Sequence, residues 1–398
     1  MPANEFNIKF SPDVVPIFDK TLLGSIRRPI DPMKWDIVLD FYDRKLYKDV
    51  IVGILDYVDS EMVSKRGNPA KTDFVIPHGS AVVKIKIDNK NFHVSAPFLQ
   101  VPSTHNIPLL RQVTEINLFP LNLSTIVLEN NQLIFKYSCP LELCEPYKTY
   151  DVLREICRYA DAYDDDFIKK FNARWVHKPV IRTFAQKYTD YAWNRVQLYL
   201  QETSAYIDYL ERKRLIEFCL DIMVTSLMKI DYYAVPQGTV KTDIEQAVSQ
   251  LQDNEIPAND RIRKGREFLS ALKALNKQEF TKDLYIADVF IPLRLNFTNE
   301  MVEPYFQRYY EVARKEIAAR EYLGAVLTLQ TAFFSLFYNY IFPDDIREII
   351  TTALVQSGHK PWDKAASLLW QALENVLQRQ TPKRKRGFLR TLFGGSQS

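Results

Sequence analysis

Glycine, histidine and cysteine are all scarce in this chain of 398 residues. The 11 glycines argue against glycine-rich phosphate-binding loops and long flexible linkers. The motifs G-x-x-x-x-G-K-S/T, G-x-G-x-x-G, H-E-x-x-H and G-x-S-x-G are absent, which removes the common nucleotide-binding, zinc-protease and hydrolase signatures. We therefore predict a protein that is not an enzyme and that uses no cofactor.

The four cysteines are too few for a disulfide framework in a chain of this length. The first residues, MPANEFNIKFSPD, lack the apolar core of a signal peptide. Apolar residues make up 46% of the chain and charged residues 25%, as is typical of a folded protein with room for more than one domain. We expect a folded protein of the reducing cytoplasm.

The net charge of +3 is concentrated at the C-terminal end. Five of the 52 basic residues lie in the last sixteen positions, which contain no acid, and the remaining 47 face 49 acidic residues. The nearly neutral body lacks the basic surface that nucleic acids require, so we expect no nucleic-acid partner. The five are Lys383, Arg384, Lys385, Arg386 and Arg390.

Three groups of residues are candidates for metal ligands. The histidines have no ligand-like spacing, and the C-x4-C pair Cys139 and Cys144, with Cys157 beyond it, lacks a fourth ligand nearby. The acids at 161–166 suit either a divalent-ion site completed from elsewhere or a solvated acidic helix end. We predict no metal. The groups are His78, His93, His105, His177 and His359; Cys139, Cys144, Cys157 and Cys219; and Asp161, Asp164, Asp165 and Asp166.

Residues 31–178 combine helical and strand patterns. Apolar residues at 35–58 step by three and four, which predicts a helix that the charged DRKLYKD segment divides. Alternating runs at 74–77, 82–87 and 92–98 predict strands, with a turn at 88–91, and Pro97 suggests that the third run ends at a sheet edge. A helix from Pro108, two strands joined at Asn130-Asn131, and a helix led by Pro146 complete the domain. We predict an α+β domain with a mostly antiparallel sheet.

The chain beyond Pro179 reads as almost entirely helical. We predict a long helix at about 183–230, shorter helices near 241–253 and 259–276, and four more between 301 and 379, which is an all-α domain that resembles a helical hairpin array of the tetratricopeptide kind. Residues 322–342 carry no charge and could span a bilayer, but their polar side chains favour a buried bundle helix. The predicted parts are thus a lead-in at 1–30, the α+β domain at 31–178, the helical domain at 180–380 and a tail at 381–398.

The order helix, three strands, helix, two strands, helix at 32–172 resembles the YbjN family and the type III secretion chaperones that share its fold. The segments that carry the resemblance are the helix at 35–58, DFVIPHGSAVVKIKI, NFHVSAPFLQVP, PLLRQVTEINLFPLNL, TIVLENNQLIFKYSCPLEL and DVLREICRYADAYDDDF. The resemblance implies a domain that pairs into dimers or binds an extended stretch of a client protein along exposed apolar patches. For this sequence we take the contacts to be exposed-face strand residues, namely Phe92, Phe98, Phe135 and Tyr137.

The tail TPKRKRGFLRTLFGG joins a cationic run to an apolar group. It resembles short bacterial membrane-targeting or docking peptides, in which cations meet an anionic surface and apolar side chains insert. A disordered solubilising end fits the same composition. Two functions therefore stay open: a chaperone- or adaptor-like protein that binds a client or a second copy, and a peripheral factor at the inner face of the membrane. The docking residues would be Lys383, Arg384, Lys385, Arg386, Phe388, Leu389 and Phe393.

Overall fold

The computed structural model describes residues 10–21, 32–102, 106–292 and 294–379. An N-terminal antiparallel sheet with its helices is followed by a helical region, as the sequence predicts. The charged DRKLYKD segment divides the first predicted helix, between Asp43 and Tyr47. The elements of the first part are α1 (Pro32–Asp43), α2 (Tyr47–Val58), α3 (Met62–Arg66), β1 (Asp73–His78), β2 (Ala81–Ile87), β3 (Asn91–Gln100), α4 (Asn106–Leu118), β4 (Thr125–Glu129), β5 (Gln132–Pro140) and α5 (Pro146–Phe171).

The five main strands pair in the order β1-β2-β3-β5-β4, and every pairing is antiparallel. Local chemistry sets both hairpins. The carboxylate of Asp88 accepts the backbone N–H groups of Lys90 and Asn91 at 2.8 and 2.7 Å, and Asn130 and Asn131 both take positive φ, as a two-residue hairpin turn requires.

The prediction that the third run ends at a sheet edge near Pro97 is wrong. Strand β3 lies between β2 and β5 and continues to Gln100. The register with β5 shifts between Pro97 and Leu99, so the proline occupies an irregularity, the other place where a sheet tolerates a missing N–H group.

The helical region is built around α7 and α12, whose side chains are buried along most of their length. The single helix predicted at 183–230 is wrong, because Arg214 takes a left-handed conformation with φ of 60° and divides it. The elements are β6 (Arg174–Trp175), β7 (Ile181–Thr183), α6 (Gln186–Arg212), α7 (Ile216–Ala234), α8 (Gly238–Gln252), α9 (Ala258–Ala274), α10 (Lys277–Thr281), β8 (Tyr285–Ala287), β9 (Leu295–Asn296), α11 (Asn299–Ala318), α12 (Tyr322–Asn339), β10 (Tyr340–Ile341), α13 (Asp344–Ser357) and α14 (Trp362–Gln378).

Helix α12 covers most of the uncharged stretch at 322–342 and packs inside the bundle against α7, α11 and α14. Its polar Gln330 and Ser335 are buried there. Across the described ranges, no helix combines the length and the apolar character needed to cross a membrane.

Two segments pack away from their own half of the sequence. Residues 10–21, which we call the N-terminal strap, place Val15 and Phe18 in the core of the helical region. Residues Phe290 and Ile291 enter the core of the sheet domain instead. Each half therefore includes side chains from the far side of the predicted boundary near Pro179.

Candidate functional site

The strand aromatics predicted to contact a partner lie in the core, so that prediction is wrong in its placement. Phe92, Phe98 and Phe135 have no exposed surface, and Tyr137 is half-buried, with its ring 6.2 Å from that of Phe92. Helix α5 covers this face with an apolar stripe of its own. Strand alternation defines two faces, but it does not say which of them the helices cover.

The opposite face of the sheet carries lysines and small polar residues. Lys84 and Lys86 are exposed on β2, and neither has an ion-pair partner among the described residues. Lys136 of β5 bonds to Glu129 at 2.5 Å. This face is thus wetter than the aromatic one and offers few large apolar side chains to a partner.

Among the described residues, the large apolar side chains with the highest exposed fractions lie at one corner of the sheet domain, where α4 ends. Leu118 is 80% exposed and the adjacent Phe119 is 79% exposed. Leu128 of the edge strand β4 is 46% exposed. We call Leu118 and Phe119 the corner patch. Single exposed apolar residues are ordinary, whereas adjacent large ones mark a surface that needs an explanation.

The corner patch is held by an anchored loop. The carboxylate of Glu155 on α5 accepts the backbone N–H groups of Asn122, Leu123 and Ser124 at 2.9, 3.2 and 2.7 Å. It also accepts the Ser124 hydroxyl at 2.7 Å, and Leu121 is buried in the core. Because the loop is bonded at several points, the two apolar side chains are presented in a fixed place.

The edge of β4 beside the patch is partly blocked. The side-chain amide of Asn117 donates to the carbonyl of Ile126 at 2.9 Å and accepts its N–H at 2.7 Å. These two backbone groups would otherwise be free to pair with a further strand. A partner at this corner therefore meets side chains rather than an open strand edge.

The acidic group on α5 is part of the interface between the two halves. Asp164 is buried, and its carboxylate accepts the Trp175 indole N–H at 3.0 Å and the Asp165 N–H at 2.7 Å. Burial, followed by the charge of Asp165, raises the pKa of Asp164 to about 7. Asp161 lies 3.7 Å from Lys241. The described residues contain no group of three or more ligands placed to hold a metal ion.

The histidines and cysteines occupy separate places. His78 is buried, its Nδ1 accepts the Phe290 N–H at 3.0 Å, and burial lowers its pKa to about 4. His93 lies between Asp88 and Ser138, His359 lies 3.7 Å from Glu202, and His177 is exposed. All four cysteines are buried, with 3.6 Å between the sulfurs of Cys139 and Cys144. His105 lies outside the described residues.

A cavity of about 420 Å³ lies between α2, α3, the edge of β1 and residues 288–289. Its charged side chains are paired with one another. Lys34 is 2.6 Å from Asp56, and Arg66 is 3.5 Å from Asp288. The pairing leaves this cavity nearly balanced in charge.

The pattern of α4 contains the signal for the corner patch. Leu109, Val113 and Ile116 form the buried stripe, and Leu118 lies outside that stripe because two residues turn a helix by about 200°.

The predicted docking residues of the tail, at 383–393, lie outside the described residues. Comparisons with protein-family models, curated proteins and solved structures found no match. The resemblance to the YbjN family stays a prediction.

Proposed function

We propose that this chain is a non-enzymatic, chaperone- or adaptor-like protein whose N-terminal domain binds another polypeptide. The supporting observation is the corner patch, in which Leu118 and Phe119 are about four-fifths exposed beside a loop that Glu155 anchors. We place the partner contact at the end of α4, and not at the strand aromatics, because the domain's own helices cover those.

The form of the patch favours a protein partner with an apolar pocket. Two adjacent large side chains that are each about four-fifths exposed fit a concavity better than a flat surface. The exposed charges nearby have both signs, Arg111 and Glu115 on α4 and Glu129 on β4. An anionic membrane would select a basic surround instead. Asn117 disfavours strand addition at this edge, because its side chain occupies both backbone groups of Ile126.

The two side chains of the corner patch should contribute strongly to the binding free energy for so small a surface. Removing Leu or Phe fully from water is worth about 1.5–3 kcal/mol per side chain. Loss of both would weaken the complex by roughly a hundredfold or more. Stability should hardly change, because substitution of exposed side chains usually alters it by less than about 0.5 kcal/mol.

The test compares the full chain with Leu118→Ser/Phe119→Ser and with a matched control, Met33→Ser/Val180→Ser, whose side chains are 73% and 71% exposed elsewhere. Tagged chains are used for quantitative affinity capture from the native cell, and light scattering measures self-association. We expect a partner, or a second copy, that is lost with the corner variant and kept with the control. Equal capture by both variants, with a monomeric wild type, would refute the proposal.

A second candidate function is peripheral association with the inner face of the membrane. The supporting observation is the sequence of the tail, where Lys383 to Arg386 precede Phe388, Leu389 and Phe393. Each cation near an anionic surface contributes about 1 kcal/mol. Vesicles with and without phosphatidylserine, mixed with the full chain and with a chain in which the four cations are serine, test this. Equal sedimentation of both chains would argue against it.

A further inference from the structure

The N-terminal strap is bound by the helical region in the manner of a ligand peptide. Tyr206 donates its hydroxyl to the carbonyl of Val14, and Trp362 donates its indole N–H to the carbonyl of Pro12 at 2.8 Å. Lys229 donates to the carbonyl of Ile17 at 3.0 Å. In each case a side chain of the groove bonds to the backbone of the strap.

Two backbone N–H groups of the strap also find acceptors in the groove. The Ile17 N–H reaches the carboxylate of Glu202 at 3.1 Å. Val15 donates to the carbonyl of Lys360 and accepts the N–H of His359, both at 2.9 Å. Pro16, between Val15 and Ile17, has no N–H group to satisfy. A groove that forms hydrogen bonds with a peptide backbone can bind any sequence whose side chains fit it.

Several side chains of the strap contact the groove. Phe10 packs its ring against that of Tyr206, Lys20 pairs with Glu348, and Thr21 donates its hydroxyl to the Tyr233 carbonyl. The most buried or charge-paired contacts come from three other positions. Val15 is fully buried and Phe18 is 3% exposed. The carboxylate of Asp19 accepts the Tyr199 hydroxyl at 2.8 Å and lies 3.2 Å from Arg195. The groove therefore reads a branched aliphatic residue, an aromatic residue three positions later and an acid directly after it.

The floor of the groove contains a buried charge pair. Lys229 is 4% exposed and its ammonium lies 4.2 Å from the centre of the Tyr199 ring and 3.6 Å from Glu202. A buried charge pair of this kind requires the additional hydrogen bonds that the strap supplies. Without an occupant, water must replace the hydrogen bond that Lys229 donates to the Ile17 carbonyl.

We propose that this groove is a peptide-binding site of the helical region, which the chain's own strap occupies until a partner segment of the same pattern displaces it. The partner is an extended peptide with the pattern valine or isoleucine, proline, any residue, phenylalanine, aspartate. Ordering the strap costs conformational entropy that offsets part of what its anchors and hydrogen bonds contribute, so a peptide that makes the same contacts can compete with it. This site is separate from the corner patch and does not depend on the function proposed for it.

The experiment uses full-length chains and a fluorescein-labelled peptide with the sequence of residues 10–21, followed by anisotropy. An open variant carries Val15→Ala and Phe18→Ala in the strap. A locked variant carries Val14→Cys and Pro361→Cys, because these two residues form an antiparallel bridge, whose Cα separation suits a disulfide. Circular dichroism verifies that each chain is folded.

We expect the peptide to bind wild type measurably and to bind the open variant about tenfold or more tightly, because the strap no longer competes. The oxidised locked variant should not bind, and reduction should restore binding to the wild-type level. Leu118→Ser/Phe119→Ser should bind as wild type does, which separates this site from the corner patch.

Three results would overturn the proposal. A folded open variant that does not bind shows that the groove is not a peptide site. If the peptide binds the open variant but not wild type, the strap is a fixed part of the fold. If the peptide binds the oxidised locked chain as tightly as it binds wild type, its binding site is not the groove. A wild-type dimer that Phe18→Ala dissociates would make a second copy, rather than a partner peptide, the occupant.

Discussion

Replacing Asp164 by asparagine should change how the stability of this protein depends on pH. Asp164 is 6% exposed, and burial raises the pKa of its carboxyl group from 3.8 to about 7. In the unfolded chain it ionises near pH 4, whereas in the folded protein it keeps its proton to about pH 7. The contribution of this group is therefore complete below about pH 4 and is lost as the pH rises to about 7.

The size of the effect follows from the shift. One pKa unit corresponds to about 1.4 kcal/mol, so the loss between pH 4 and pH 8 is at most about 4 kcal/mol. In Asp164→Asn the side chain would be neutral throughout, and the variant would not show this loss. The introduced amide can accept only one of the two N–H groups, from Trp175 and Asp165, that Asp164 accepts, so a penalty independent of pH is also expected.

Urea unfolding of wild type and Asp164→Asn at several pH values between 4 and 8 measures the free energy of unfolding of each. We expect the difference to shift in favour of the variant by about 2–4 kcal/mol as the pH rises. Trp175→Phe should act in the opposite direction, because it removes a donor to the ionised carboxylate. A difference between wild type and Asp164→Asn that stays constant over this range would refute the assignment of a buried, proton-retaining Asp164.

Three further predictions test the core, the loop and the interface. Phe98→Ala should lower the free energy of unfolding by about 3–5 kcal/mol, and Phe119→Ala should change it by less than about 0.5 kcal/mol, in urea titrations. Glu155→Ala should speed amide hydrogen exchange at 122–124 by about tenfold or more, because three N–H groups lose their acceptor. His78→Phe should cost about 1–3 kcal/mol at pH 7 by orphaning the Phe290 N–H. It should also abolish the part of the stability loss on acidification from pH 6.5 to 4 that follows from the lowered pKa of His78.

Local chemistry made much of the fold predictable. The turn at Asn130-Asn131 and the break after Asp43 depend on residues within a few positions of one another, so the sequence contains the whole cause. The division between α6 and α7 has the same local geometry as that break, a left-handed basic residue followed by leucine, at Lys45 and at Arg214. It is harder to predict because Lys213, Arg214 and Leu215 include no glycine or proline and also suit the interior of a helix.

The strap could not be predicted for a different reason. Residues 10–21 show neither a period of two nor one of 3.6 residues, and their backbone groups are satisfied by side chains such as Lys229 and Trp362 that lie more than 200 positions away. An extended segment bound in this way leaves no pattern within its own sequence. The sequence beyond position 180 also contains no sign that it forms a groove.

The misplacement of the strand aromatics has a physical reason that also explains the corner patch. Both faces of an alternating strand can contain apolar residues, as Val75 and Val82 do on the lysine face here. Volume distinguishes the faces, because a helix such as α5 can fill the space over the sheet only against large side chains. The core is therefore a better place than a contact surface for Phe92, Phe98 and Phe135. The corner patch differs, because its large apolar residues belong neither to the alternating pattern of a strand nor to the buried stripe of α4, and packing within the domain does not explain them.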